Sequence, residues 1–214
     1  MAAFLLSAFA DEAANDLAGQ IAALKRNGIR FIEPRYIDGA ILEKTDAELS
    51  EISSELSAAG IGVSSLGSPI GKYDIDKPFE PHLELFRRAL RVCGILGTSR
   101  MRMFSFFVPQ GRREEYREEV FRRLRIFLDL AKEAGVALCH ENENLLYGQD
   151  PDGVRDLLTS LPGLRAAYDP ANFVMNDQDP IEGLEATLPS LEYIHAKDAI
   201  AAEKSIVPCG RGDG

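Results

Sequence analysis

The sequence predicts an α/β barrel of the TIM (β/α)8 type that ends after its seventh strand. Three observations predict it. Apolar, β-rich runs alternate with segments of helical periodicity along the chain. The helical segments repeatedly close on a glycine that leads at once into the next apolar run, as at Gly28, Gly60, Gly97 and Gly135. Such short turns suit parallel strands joined by right-handed crossovers. Finally, three of the later runs end in residues able to bind a metal: Val136-Ala-Leu-Cys-His-Glu141, Leu164-Arg-Ala-Ala-Tyr-Asp169 and Leu191-Glu-Tyr-Ile-His195.

Taken in order, residues 4–9 read as a short buried strand, and 11–27 as a helix with Leu17, Ile21 and Leu24 on its apolar face. Residues 29–33 form the second strand. Thr45 and Glu48 make a capping box for a helix using Leu49, Ile52 and Leu56. The third strand covers 61–66 and runs into the turn-rich Gly67-Ser-Pro-Ile-Gly71-Lys72. A helix over 81–96 precedes the fourth strand, 99–106. The long charged helix over 112–134 turns Val120, Leu124, Phe127, Leu128 and Ala131 inward. The fifth strand carries Glu141. A short helix capped by Asp150 or Asp152 leads to the sixth, carrying Asp169. A helix over 180–188 leads to the seventh, carrying His195. Residues 207–214 read as a loop.

No linker or low-complexity stretch interrupts this pattern, so residues 1–214 are expected to form one domain. The length is a little short of the about 250 residues typical of a complete eight-unit barrel. Seven strands alone would leave two open edges. The expectation is therefore a truncated sequence, or a partner that covers the gap.

Composition narrows the function classes. A formal net charge of −10 repels phosphate backbones and argues against nucleic acid as a partner. The apolar N-terminal stretch lacks the basic start of a signal peptide and meets Asp11-Glu12 at once. No segment is long enough to cross a membrane. Cys93, Cys139 and Cys209 show no paired spacing, which suits reduced thiols and a cytoplasmic location, with Cys209 the most exposed. A small-molecule substrate is the expected partner, and a homo-oligomer is compatible with the sequence.

In a barrel of this kind the carboxyl ends of the strands share one rim. Strand alternation puts Glu141 on one face with Ala137 and Cys139, while Val136, Leu138 and His140 take the other. By the same alternation Asp169 sides with Ala167, His195 with Tyr193 and Lys197, and Glu33 with Phe31. Glu141, Asp169 and His195 together are a reasonable set for a divalent cation. Lys72, Arg102 and Lys197 are rim cations suited to a substrate hydroxyl, carboxylate or phosphate. Asn142 and Asn172 suit sugar hydroxyls or support of the ligands. Glu33 is a further candidate for substrate binding. His140 is expected to face outward, and His82 lies near a helix start.

The chain resembles the xylose isomerase-like barrel superfamily, a broad group of sugar isomerases and epimerases that also includes the endonuclease IV branch. The likeness rests on Ser7-Ala-Phe-Ala-Asp-Glu, Gly28-Ile-Arg-Phe-Ile-Glu33-Pro-Arg35, Ser68-Pro-Ile-Gly-Lys72, Met103-Phe-Ser-Phe106, His140-Glu-Asn-Glu143, Tyr168-Asp-Pro-Ala-Asn-Phe173, His195-Ala-Lys-Asp198 and Val207-Pro-Cys-Gly-Arg-Gly-Asp-Gly214, in order and spacing. It implies metal ligands after strands five, six and seven, at Glu141, Asp169 and His195. The glutamate such proteins carry after strand eight has no counterpart here. The implied activity is metal-dependent isomerisation or epimerisation of a small sugar or polyol derivative. Glu141 would be the catalytic base, and the proton would pass through a metal-stabilised enediolate. Mn²⁺, Mg²⁺ or Co²⁺ suits the oxygen-rich set, and Zn²⁺ is compatible with it. A keto-inositol-type dehydratase on the same scaffold and an inactive sugar-binding barrel fragment are the alternatives. The nuclease branch fits poorly, with only three histidines present and Asn172 where that branch has a histidine.

Overall fold

A computed structural model of the chain describes residues 4–214. It divides into two compact units. The first gathers the chain up to Ser68 with Glu84–Met101 and Glu133–Val136; the second comprises Pro69–Leu83, Arg102–Lys132 and Ala137–Gly214.

The first unit is built on a parallel three-stranded sheet in the order β1 (Ser7–Ala8), β2 (Phe31–Ile32), β3 (Gly62–Val63). Ser7 pairs with Phe31, which in turn pairs with Gly62. Helix α1 (Leu17–Arg26) starts where the Asp16 side chain accepts the Gly19 N–H. Helix α2 (Asp46–Ala58) starts at the expected Thr45–Glu48 capping box. Leu24, Ile32, Leu49 and Leu56 are buried. A further short strand, β4 (Leu66–Gly67), follows β3.

Two expectations fail here. Residues 4–6 are not part of a buried strand: Phe4, Leu5 and Leu6 are 67–79% exposed and only Ser7–Ala8 pair. Apolar character favours burial only where another surface covers it, and the pairing with β2 begins at Ser7. The first helix does not begin at residue 11 either. A 3-10 turn at Ala10–Glu12 precedes it, and the Asp16 cap resets the start.

Helix α3 (Phe79–Leu96) and strand β5 (Arg100–Met103) connect the units in sequence. Strand β5, of which Arg102 and Met103 belong to the second unit, is followed in sheet order by that unit's β6 (Ala137–Glu141), β7 (Arg165–Tyr168) and β8 (Leu191–Ile194). Helices α4 (Arg113–Glu133) and α5 (Pro151–Ser160) provide the crossovers, α5 capped by Asp150. Strands β6 and β7 run parallel with Glu141 opposite Ala167, and β7 and β8 run parallel with Tyr168 opposite Ile194. This order of parallel neighbours brings successive strand ends side by side.

Between β7 and β8 the chain makes two helices, α6 (Pro170–Met175) and α7 (Pro180–Thr187). The sequence pattern predicts only the second. After β8, β9 (Asp198–Ile200) and β10 (Ser205–Val207) form an antiparallel hairpin, and residues 208–214 are the expected loop. No helix among the described residues is long and apolar enough to cross a membrane. Cys93 and Cys139 are buried free thiols and Cys209 is exposed, as expected.

Candidate metal centre

The strand register of the second unit explains how three distant residues meet. Glu141 is the last residue of β6 and lies opposite Ala167, two residues before Asp169. The β7–β8 pairing continues one residue past the strand, with the His195 N–H donating to the Tyr168 carbonyl at 2.9 Å. His195 is thereby set beside Asp169. One donor atom from each of Glu141, Asp169 and His195 lies within 4.8 Å of the others. Glu141 and Asp169 are 5% and 1% exposed.

Asp169 is also the N-cap of α6, with Pro170 in the first turn. One carboxylate oxygen, Oδ1, accepts the Asn172 N–H at 2.9 Å, and Oδ2 faces Lys197 Nζ at 3.3 Å. One oxygen of Asp169 thus caps the helix while the other is turned toward Lys197. Asn142 clamps the ends of β6 and β7 together. Its amide nitrogen donates to the Asp169 carbonyl at 2.9 Å and its amide oxygen accepts the Asp169 N–H at 3.0 Å. Asn172 Nδ2 donates to the Asn142 carbonyl at 2.9 Å and approaches Glu141 Oε1 at 3.3 Å, while its Oδ1 accepts from Lys197 Nζ at 2.7 Å. Both asparagines fix the position of the carboxylates.

Arg102, within β5, reaches Glu141 Oε2 at 2.8 Å in a buried ion pair. His195 Nδ1 lies 3.2 Å from Glu141 Oε1, and its ring meets Tyr193 edge-on at 5.3 Å. Burial works against the ionised form of Glu141. The His195 contact and the Arg102 charge outweigh it and hold the carboxyl well below the usual carboxylate range. Asp169 goes the other way: burial, only partly offset by Lys197, pushes its carboxyl up to about 6.

Lys72 forms an ion pair with Glu143 at 2.9 Å, and its ammonium lies 4.5 Å from the centre of the Phe104 ring. The Arg102 guanidinium sits 4.7 Å from the same ring. Gly71 makes this arrangement possible. It has φ +87°, and a Cβ there would stand 2.0 Å from the Phe104 carbonyl oxygen. Glu33 is buried beyond β2 and belongs to the first unit; its N–H donates to the Ala8 carbonyl. His140 lies on the opposite face of β6 from Glu141, with Nε2 2.9 Å from Ser105 Oγ.

Two features escape sequence reasoning. Glu143 is the partner of Lys72. Asp198 collects five backbone N–H groups, from Ala199, Gly210, Arg211, Gly212 and Gly214, at 2.8–2.9 Å. These bonds hold its carboxyl below the usual range. The run Gly210-Arg-Gly-Asp-Gly214 is the signal that could have found it, since closely spaced glycines let successive amides turn toward one anion.

Two carboxylates and an imidazole, buried and within one ion's reach of each other, fit a divalent cation. Glu141, Asp169 and His195 are the residues that would hold it.

Known proteins carry the same architecture. The chain spans 74–82% of the length of three solved structures that it matches with TM-scores of 0.73–0.75. A D-tagatose 3-epimerase-like protein is 12% identical, with 97% of this chain and 80% of that one aligned, at a TM-score of 0.75. A xylose isomerase-like TIM barrel protein from Mycobacterium smegmatis, solved in complex with magnesium, is 16% identical over 98% of this chain and 82% of that one, at 0.73. The probable 3-DHS dehydratase AsbF from Bacillus anthracis is 15% identical over 92% and 74%, at 0.73. No curated protein sequence matches the chain. At these identities the structures speak for the fold alone. The sequence model of the xylose isomerase-like TIM barrel matches residues 21–214. That model covers most of the 214 residues, and the chain belongs to the xylose isomerase-like TIM barrel family.

Proposed function

We propose that the chain is a metal-dependent isomerase or epimerase of a small sugar or polyol derivative. The observation that carries this reading is the buried convergence of Glu141, Asp169 and His195 within 4.8 Å. A divalent cation held there would polarise a substrate carbonyl and acidify the neighbouring C–H. The chain's own residues supply the rest. Glu141 is held ionised by Arg102 and His195, so at neutral pH it accepts a proton without first losing one. The same partners weaken it as a base, which demands a substrate C–H that is already acidified. Asn142 and Asn172 keep the carboxylates in place through the turnover. Burial of the cluster excludes bulk water and strengthens each of these interactions. Structures of the same fold that are named an epimerase-like protein and a probable dehydratase support a small-molecule enzyme on this scaffold.

The test uses the 214-residue protein with Mn²⁺ and a panel of ketoses and keto-polyols in deuterated water, followed by NMR. Exchange of the C–H beside the carbonyl, with a new epimer or isomer, is expected. Glu141→Gln should slow it by about 10²–10⁴-fold, the range for loss of a general base, and His195→Ala should weaken Mn²⁺ binding. Exchange by Glu141→Gln at the parent rate would end the proposal. A product lacking the elements of water would make the enzyme a dehydratase.

A further inference from the structure

Each carboxylate of the cluster has one oxygen held by a short bond. Glu141 Oε2 accepts from Arg102 at 2.8 Å, and Asp169 Oδ1 accepts the Asn172 N–H at 2.9 Å. The other two oxygens have longer contacts among the described residues. Glu141 Oε1 lies 3.2 Å from His195 Nδ1 and 3.3 Å from Asn172 Nδ2, and Asp169 Oδ2 lies 3.3 Å from Lys197 Nζ. The Arg102 donor is firmly placed. Its side chain is 10% exposed and leaves from β5, the sheet neighbour of the strand that ends in Glu141. Its guanidinium lies against the ring of Phe104, which is fully buried and whose N–H donates to the Ile70 carbonyl at 2.7 Å. A guanidinium does not lose its proton in a folded protein, and pulling it off Oε2 would leave a buried charge unpaired.

Resting on the metal-dependent reading above, we propose that Arg102 selects the ion: it restricts Glu141 to ligation through one oxygen, and so sets the site for Mg²⁺ or Mn²⁺ against Ca²⁺. An octahedral ion of the Mg²⁺ kind, with oxygens at about 2.0–2.1 Å, is served by one oxygen from each carboxylate. Ca²⁺ takes about 6–8 oxygens at about 2.3–2.6 Å and often reaches that number through two-oxygen carboxylates. With Oε2 committed to Arg102, Glu141 has no second oxygen to give. The Asn172 amide, fixed in the first turn of α6, restricts Asp169 in the same way.

This role differs from plain repulsion. The positive charge of Arg102 opposes every divalent cation alike. Its bond to Oε2 opposes only the ion that would use both oxygens of Glu141. Loss of the charge should therefore raise the affinity for Mg²⁺, Mn²⁺ and Ca²⁺ together, whereas loss of the bond gives Ca²⁺ an additional gain. The imidazole of His195 is present in parent and variant alike, so its own preference among ions cancels in the comparison.

The experiment is ion competition on the 214-residue protein. Parent and R102M are loaded with MnCl₂ and titrated with MgCl₂ or CaCl₂, and the Mn²⁺ released is read by electron paramagnetic resonance. Starting from loaded protein supplies the counter-charge that R102M lacks. The preference for Mn²⁺ over Ca²⁺ should narrow about tenfold in R102M, or about 1.4 kcal/mol, while the preference for Mn²⁺ over Mg²⁺ stays as in the parent. An unaltered Mn²⁺/Ca²⁺ preference in R102M overturns the proposal. So does an equal narrowing for Mg²⁺ and Ca²⁺, which would reduce Arg102 to a charge. A measurement on the parent alone covers the case in which R102M does not fold. The infrared difference spectrum of Mn²⁺-loaded minus metal-free parent should show the wide carboxylate splitting of one-oxygen ligation, and the narrow splitting of two-oxygen ligation overturns the proposal. Mn²⁺ binding with either contrary result removes this inference alone; failure to bind Mn²⁺ removes the metal-dependent reading as well.

Discussion

His82 should make the protein lose stability as pH falls from 7 to 5. The imidazole is 3% exposed, stacked on Tyr73 at 4.4 Å between ring centres. Its Nε2 accepts the Gly71 N–H at 2.8 Å, so that nitrogen carries no proton. Protonation would set one N–H against another in a buried site that also faces the Arg123 charge. Burial first, then Arg123, lowers its pKa from 6.5 to about 4. The sign follows from linkage. The unfolded chain takes up the proton near 6.5 and the folded chain only near 4, so the contribution is intact above 6.5 and is lost as pH falls below it. Between pH 7 and pH 5 the loss is about 2 kcal/mol. The assay is urea unfolding at several pH values for the parent and H82Q, whose side-chain oxygen can still accept the Gly71 N–H but cannot titrate. The difference between the two proteins removes the contributions of His140, also lowered to about 4, and of Asp169, which has the opposite sign. If H82Q falls in stability between pH 7 and 5 as steeply as the parent, the reasoning is refuted.

Three further predictions follow from the site. Removing one partner of the buried Arg102–Glu141 pair with R102M should cost about 3 kcal/mol without metal. Added Mn²⁺ should raise the Tm of R102M more than that of the parent, because a cation replaces the lost counter-charge; equal rises would argue that Glu141 is not a ligand. G71A should cost at least about 2 kcal/mol in denaturant unfolding, from its φ of +87° and the 2.0 Å approach to the Phe104 carbonyl. An unchanged midpoint would contradict that geometry. D198A should free the amides of the C-terminal loop, so trypsin should cut after Arg211 faster than in the parent; an equal rate would show that the carboxylate does not order that segment.

Much of the site is legible without coordinates because its logic is local. Side chains alternate along a strand, so the placement of Glu141 on one face of β6 and His140 on the other can be read from their neighbours. Parallel strands joined by crossovers share the direction of their carboxyl ends, so Asp169 and His195 had to arrive on the same side. The capping box at Thr45 and the glycine stops are equally local. What escaped has a different origin. Residues 4–6 are apolar, and their exposure depends on what the rest of the fold lays over them. Helix α6 is a single short stretch whose signal, an aspartate before proline, also marks an ordinary turn.

By itself, then, the amino-acid order determined the alternating architecture, the strand ends and the identity of three converging donors, since these depend on periodicity and backbone direction. Only the tertiary structure decided how those donors are charged and held. Arg102 lies 39 residues from Glu141, and Lys197 lies 28 residues from Asp169. Asp198 draws its amides from up to 16 residues away. Such pairings are set by the reach of side chains across packed strands, a property no periodicity in the chain encodes.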